Sequence, residues 1–183
     1  MPANDPIAAT RHWLQRAVIG LNLCPFAKAV LAKDQVRFVL SEARDTDALL
    51  DDLIAELVHL RAARVEEVDT TLLIHPRVLT DFLDYNDFLD VAGAALIALD
   101  LDGEIQIASF HPDYRFADSD DDAIENYTNR SPFPMLHLLR EDSVERAVAA
   151  FPDADAIVER NMVMLNKLGL EGLQRLLAMR QDM

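Results

Sequence analysis

The feature that most constrains this chain is an alternation of two periods. Four short runs rich in β-formers, Val36–Leu40, Thr70–Ile74, Ile105–Phe110 and Met135–Arg140, are separated by segments whose apolar residues recur at helical spacing. Asp5 before Pro6 opens the first helix, followed by Ile7, Trp13, Leu14, Ala17, Val18 and Leu21. Pro25 breaks it, and a short helical piece follows over Ala27–Ala32. Asp45 or Thr46 caps a helix striped by Leu49, Leu53, Leu57 and Leu60, and Thr80 or Asp81 starts a long one through Phe88 and Leu96. Met135–Arg140 is ambiguous by period; Pro132 and Pro134 favour an extended reading, and Asp142 or Ser143 then caps a fresh helix that Pro152 ends. From Ala154 onward the pattern is helical, with Gly169 and Gly172 marking a break.

Strands alternating with helices call for parallel pairing with right-handed crossovers. The expected fold is therefore α/β: one layered domain over residues 1–183, with a small, about four-stranded, mainly parallel sheet packed by helices. Residues 154–183 form its helical C-terminal segment. A chain of 183 residues, 51% of them hydrophobic, has enough apolar material for one such core.

Seventeen Lys plus Arg against thirty-two Asp plus Glu give a formal charge of −15. That field repels phosphate backbones and anionic lipid, so neither nucleic acid nor a membrane surface is an expected partner. The single Cys24 forbids an internal disulfide and suits a reducing compartment. With no secretory signal and no apolar run of about 20 residues, the expected location is cytoplasmic.

The reactive side chains concentrate between Ile105 and Arg140. Two His-Pro pairs, His75-Pro76-Arg77 and His111-Pro112-Asp113, each follow directly on a strand. Ligands of open parallel sheets bind beyond the carboxyl ends of the strands, so both imidazoles are expected on one rim. His111, His75 and Asp113 suit proton transfer near neutrality, and His111 with His75 suits zinc or iron; a role as plain strand terminators stays open. Arg130 and Arg115, with Asn129, Asn126 and Arg77, would bind the substrate anion, using the fork geometry of guanidinium, and Arg140 flanks the same stretch. The alternative is that these arginines neutralise the neighbouring aspartates. The connection between the last two strands, about 20 residues, is longer than compact domains usually keep without a use.

Asp118, Asp120 and Asp122 alternate like a calcium loop, but Ala123 and Asn129 stand where Gly and Glu are needed. Cys24 reads as inert unless a base or cation activates it. His137 reads as a core residue sharing a face with Met135 and Leu139. With five glycines and no phosphate-binding loop, no nucleotide cofactor is expected.

Leu23-Cys24-Pro25-Phe26-Ala27, Ser109-Phe110-His111-Pro112-Asp113-Tyr114-Arg115-Phe116 and Asn129-Arg130-Ser131-Pro132-Phe133-Pro134-Met135-Leu136-His137-Leu138-Leu139-Arg140 together resemble a bacterial family catalogued only as a domain of unknown function. The resemblance spans most of the chain and implies a complete single-domain bacterial protein; it carries no reaction, cofactor or catalytic residue. The residues themselves lead to the expectation of an enzyme acting on a small anionic metabolite through His acid/base or metal chemistry, with an Arg clamp. The alternative is a non-catalytic small-molecule-binding or protein-interaction domain, with a homodimer through Ile157, Val158, Met162, Leu165, Leu168, Leu173, Leu176 and Leu177.

Overall fold

A computed structural model describes residues 5–151 and 156–178, of which 177 and 178 by backbone alone. Pro152 and Ala154, expected at helix ends, and the side chain of Leu177 lie outside what is described. Helix α1 (Pro6–Trp13) is capped as its sequence predicts, the Asp5 carboxylate accepting from the Ile7 and Ala8 N–H groups. It continues as a wider π-helical stretch, Leu14–Ile19, before the corner at Pro25 and helix α2 (Ala27–Ala32). Strand β1 (Val36–Leu40), helix α3 (Thr46–Ala62), β2 (Thr70–Ile74), α4 (Phe82–Ala98) and β3 (Ile105–Phe110) follow. Asp45 caps α3 and Asp81 caps α4. After a short 3₁₀ turn at Ile124–Thr128 come β4 (Met135–Arg140), α5 (Glu141–Ala149) and α6 (Ala156–Ala178). Helix α5 starts one residue before Asp142 with no side-chain cap, and Ser143 instead donates to Asp69.

The four strands lie in the order β1-β2-β4-β3. β1 pairs parallel with β2, but β4 is antiparallel to both β2 and β3, so the sheet is mixed rather than mainly parallel. The cause is the connection 111–134, which never crosses the sheet. It returns to the edge it left, where the His111 N–H donates to the Asn129 carbonyl at 3.2 Å and the Ser131 N–H to the His111 carbonyl at 3.3 Å. From there β4 can enter only against β3. Because β2 and β3 flank the reversed strand, they still run the same way, and their carboxyl ends share a rim.

One sheet face (Leu73, Leu136, Leu138, Ile105) packs on Leu49, Leu53, Leu57 and Leu60 of α3 and on Tyr85 and Phe88 of α4. Each of those α3 leucines is 0% exposed, a burial worth roughly 1.5–3 kcal/mol apiece. The opposite face (Val36, Leu72, Ile74, Met135) packs on Trp13, Leu14, Ala17 and Val18. Helix α6 kinks at Gly169, whose φ of 66° favours glycine. Its Leu165 and Leu173 bury against Tyr127, Leu21 and Leu23, so part of the stripe expected at a dimer face is covered within the chain.

Candidate functional site

The shared rim brings the two His-Pro imidazoles together. His75 and His111 both have 0% exposed surface. Both pack against their common neighbour Tyr85, with ring centroids 5.8 Å and 5.1 Å from its ring. The turn after β2 holds both rings through carbonyls: His75 Nδ1 donates to Val78 at 3.0 Å and His111 Nε2 to Leu79 at 3.2 Å. Leu79 itself sits at φ 56°, the left-handed region that leucine rarely adopts. Tautomers follow from the partners. His111 Nδ1 accepts the Asp113 N–H at 3.0 Å, which leaves its proton on Nε2, whereas His75 carries its proton on Nδ1 and its Nε2 has no partner among the described residues. Burial pushes the His75 pKa down to about 4, against the bond to Val78 and helped by the charge of His111. Burial also lowers that of His111, opposed by the Leu79 bond and by Asp113 and Asp81. Both rings are thus held neutral, and burial raises the Tyr85 phenol.

The expected anion clamp is spent elsewhere. Arg130 pairs with His111 through backbone, but its guanidinium donates to the Tyr114 carbonyl at 3.3 Å and the Asp121 carbonyl at 2.6 Å, over the Tyr127 ring. Arg115 pairs with Asp121, and Arg77 with Glu42, both at exposed positions. Asn126 is fully buried: its oxygen accepts from the Phe116 N–H and the Ser119 hydroxyl, and its nitrogen donates to the Asp120 carbonyl at 2.8 Å. Asn129 donates to the Ser109 carbonyl at 3.1 Å. Arg140, at the other end of β4, binds the carbonyls of Leu60, Ala63 and Val68 and closes the C-terminal end of α3. These side chains satisfy backbone that the long loop and helix end leave unpaired.

The residues present do not fit the zinc or iron expected at His111 and His75. Both nitrogens of His111 are engaged, and among the described residues no three His, Cys, Asp or Glu side chains converge. Asp113 is exposed, and the hydrogen bond it makes to His111 comes from its backbone N–H.

Sequence reasoning missed a cavity of about 570 Å³ on the opposite sheet face. Its floor is Leu72, Ala108, Phe110 and His137; Trp13, Leu14 and Val18, the corner Cys24-Pro25-Phe26, Val30 of α2, and Val144 and Ala147 of α5 close it in. The few polar groups cluster at one end. Thr70 Oγ1 lies 2.6 Å from His137 Nε2 and 2.7 Å from the Leu138 carbonyl. Desolvation pushes the His137 pKa down to about 4, so the ring is neutral. The period-2 pattern puts Thr70 with Leu72, and His137 with Met135 and Leu139. The cross-strand pairing Leu72↔His137, which assembles them on one wall, had no local signal.

No helix among the described residues is long and apolar enough to cross a membrane. No curated protein and no solved structure matches the chain. A family model described as Protein of unknown function (DUF1415) matches residues 5–175, so the rim, the long loop and the cavity walls all lie within the shared region, and the chain belongs to that family.

Proposed function

We propose that this protein binds a small, largely apolar molecule in the cavity between the sheet and helices α1, α2 and α5. The observation that carries this is the cavity itself: about 570 Å³, walled by aromatic and aliphatic side chains with a few polar groups gathered at one end. Ligand sites have that size and composition. An enzyme using His111, His75 and Asp113 on an anionic metabolite has less support, since both imidazoles lack exposed surface and the guanidinium groups of Arg130, Arg115 and Arg77 already have partners. The lone Cys24 supports a reducing, cytoplasmic setting.

Trp13 is the chain's one tryptophan and stands on the cavity wall, so occupancy has an intrinsic reporter. The neutral apolar dye N-phenyl-1-naphthylamine, excited through Trp13, should bind with energy transfer. Ala147→Phe on α5, which fills the cavity without new polarity, should weaken that binding at least about tenfold, the scale of one buried apolar group. Equal binding of the dye by the wild type and Ala147→Phe would refute the proposal.

A further inference from the structure

Within the cavity, the hydrogen bonding of Thr70 decides which nitrogen of His137 carries the proton. A hydroxyl has one proton and a carbonyl can only accept. The Thr70 proton therefore goes to the Leu138 carbonyl at 2.7 Å, and the 2.6 Å contact with His137 requires the proton to sit on Nε2. Nδ1 is then a bare lone pair, with no partner among the described residues, in a side chain that lines the cavity. Thr70 is only 7% exposed and held at both ends, so this assignment does not drift with solvent.

Charge narrows the ligand further. Two charged side chains line the wall, Asp69 and Arg140. Asp69 keeps its carboxylate beside the Ser143 hydroxyl, which donates to it at 2.5 Å. The Arg140 guanidinium is turned to the Leu60, Ala63 and Val68 carbonyls. An anionic head would meet a carboxylate and no free cation among the described lining residues. Gln106 also lines the wall, but a side-chain amide offers a donor or an acceptor and discriminates against neither.

We propose that the cavity selects a neutral molecule with an apolar body and a hydrogen-bond-donating head, a hydroxyl or an N–H, whose proton Nδ1 of His137 accepts. This rests on the cavity being the binding site. A head that only accepts, such as an ether, ester or ketone, would set its lone pairs against that of Nδ1. Thr70 acts here as a positioning residue, through the tautomer it imposes.

The test uses the full chain near pH 7.5 with three probes that share a ten-carbon chain: decan-1-ol, its methyl ether and decanoate, each followed by Trp13 emission and by displacement of N-phenyl-1-naphthylamine. The alcohol should bind tighter than the ether by roughly two- to tenfold, the net worth of one hydrogen bond, and decanoate should bind weakest. Thr70→Val removes the constraint and lets the ring place its proton on either nitrogen. The alcohol-to-ether ratio should then fall to within about twofold while the ether itself binds nearly as before, because only the head-group bond is affected. Equal binding of alcohol and ether by the wild type overturns the inference. So does a ratio that survives Thr70→Val, or binding of the dye with none of the three probes bound. Should Thr70→Val lose its native circular dichroism, the wild-type ratio decides alone. Failure of the dye together with all three probes would instead remove the binding reading on which this rests.

Discussion

Tyr85→Phe removes one oxygen that serves two backbone groups. The phenol donates to the Met135 carbonyl at 2.9 Å and accepts the Phe110 N–H at 3.0 Å, and these two residues face each other across the β3–β4 pair. The ring is 0% exposed, so water cannot replace the lost bonds. Each such bond is worth about 0.5–1.5 kcal/mol net, and each buried group left unpaired costs about 1–3 kcal/mol. Partial re-pairing between the two strands sets the expected loss at roughly 2–4 kcal/mol. For a chain of this length that corresponds to a fall in Tm of roughly 5–15 °C. Urea unfolding followed by Trp13 emission reads the loss from the opposite sheet face, so a change there reports global stability. The slope with urea should stay constant, since the same surface is exposed on unfolding. A loss under about 0.5 kcal/mol would refute the claim that this hydroxyl ties the rim together.

Acid should destabilise the protein through its buried imidazoles. With the His75 pKa held at about 4, below its ordinary value of 6.5, the unfolded chain takes up the proton first as pH falls. The stability this supplies is whole above about pH 6.5 and drains away by about pH 4, a loss of roughly 3 kcal/mol at 1.36 kcal/mol per pKa unit. His75→Asn keeps an N–H for the Val78 carbonyl and cannot titrate, so urea midpoints measured from pH 7 to 4.5 should fall less steeply; parallel slopes would refute the assignment. His111 and His137 are shifted in the same direction and leave a residual slope. Arg140→Ala should cost about 2–4 kcal/mol by leaving the last carbonyls of α3 unpaired, and Arg140→Lys should recover less than half, because one ammonium cannot span what the guanidinium fork reaches. Full recovery by lysine, read from urea midpoints, would reduce the residue to a point charge.

Element identity was legible wherever a local signal exists. The Asp5, Asp45 and Asp81 caps and the leucine stripe of α3 lie where their spacing predicts. Strand direction was not legible, because it depends on where the 111–134 loop re-enters, and that is set by backbone pairing of His111 with Asn129 and Ser131. Strand alternation predicts a parallel sheet only if each connection crosses over. The convergence of His75 and His111 on one rim survived this error, since β2 and β3 keep the same sense on either side of β4.

The candidate site moved for a related reason. Residues that stand out in a sequence for their chemistry are also those a long, buried loop needs for itself: Asn126, Arg130 and Asn129 are occupied by the carbonyls and N–H groups around them. The cavity, by contrast, is built from common apolar residues scattered along the chain from Trp13 to Phe151, and no spacing announces it. Helix α5 contributes no buried residue of its own and yet lines the cavity with Val144 and Ala147. A helix held against so large an apolar gap, with its one fixed lone pair at the polar end, is what supports the proposal of an occupant there.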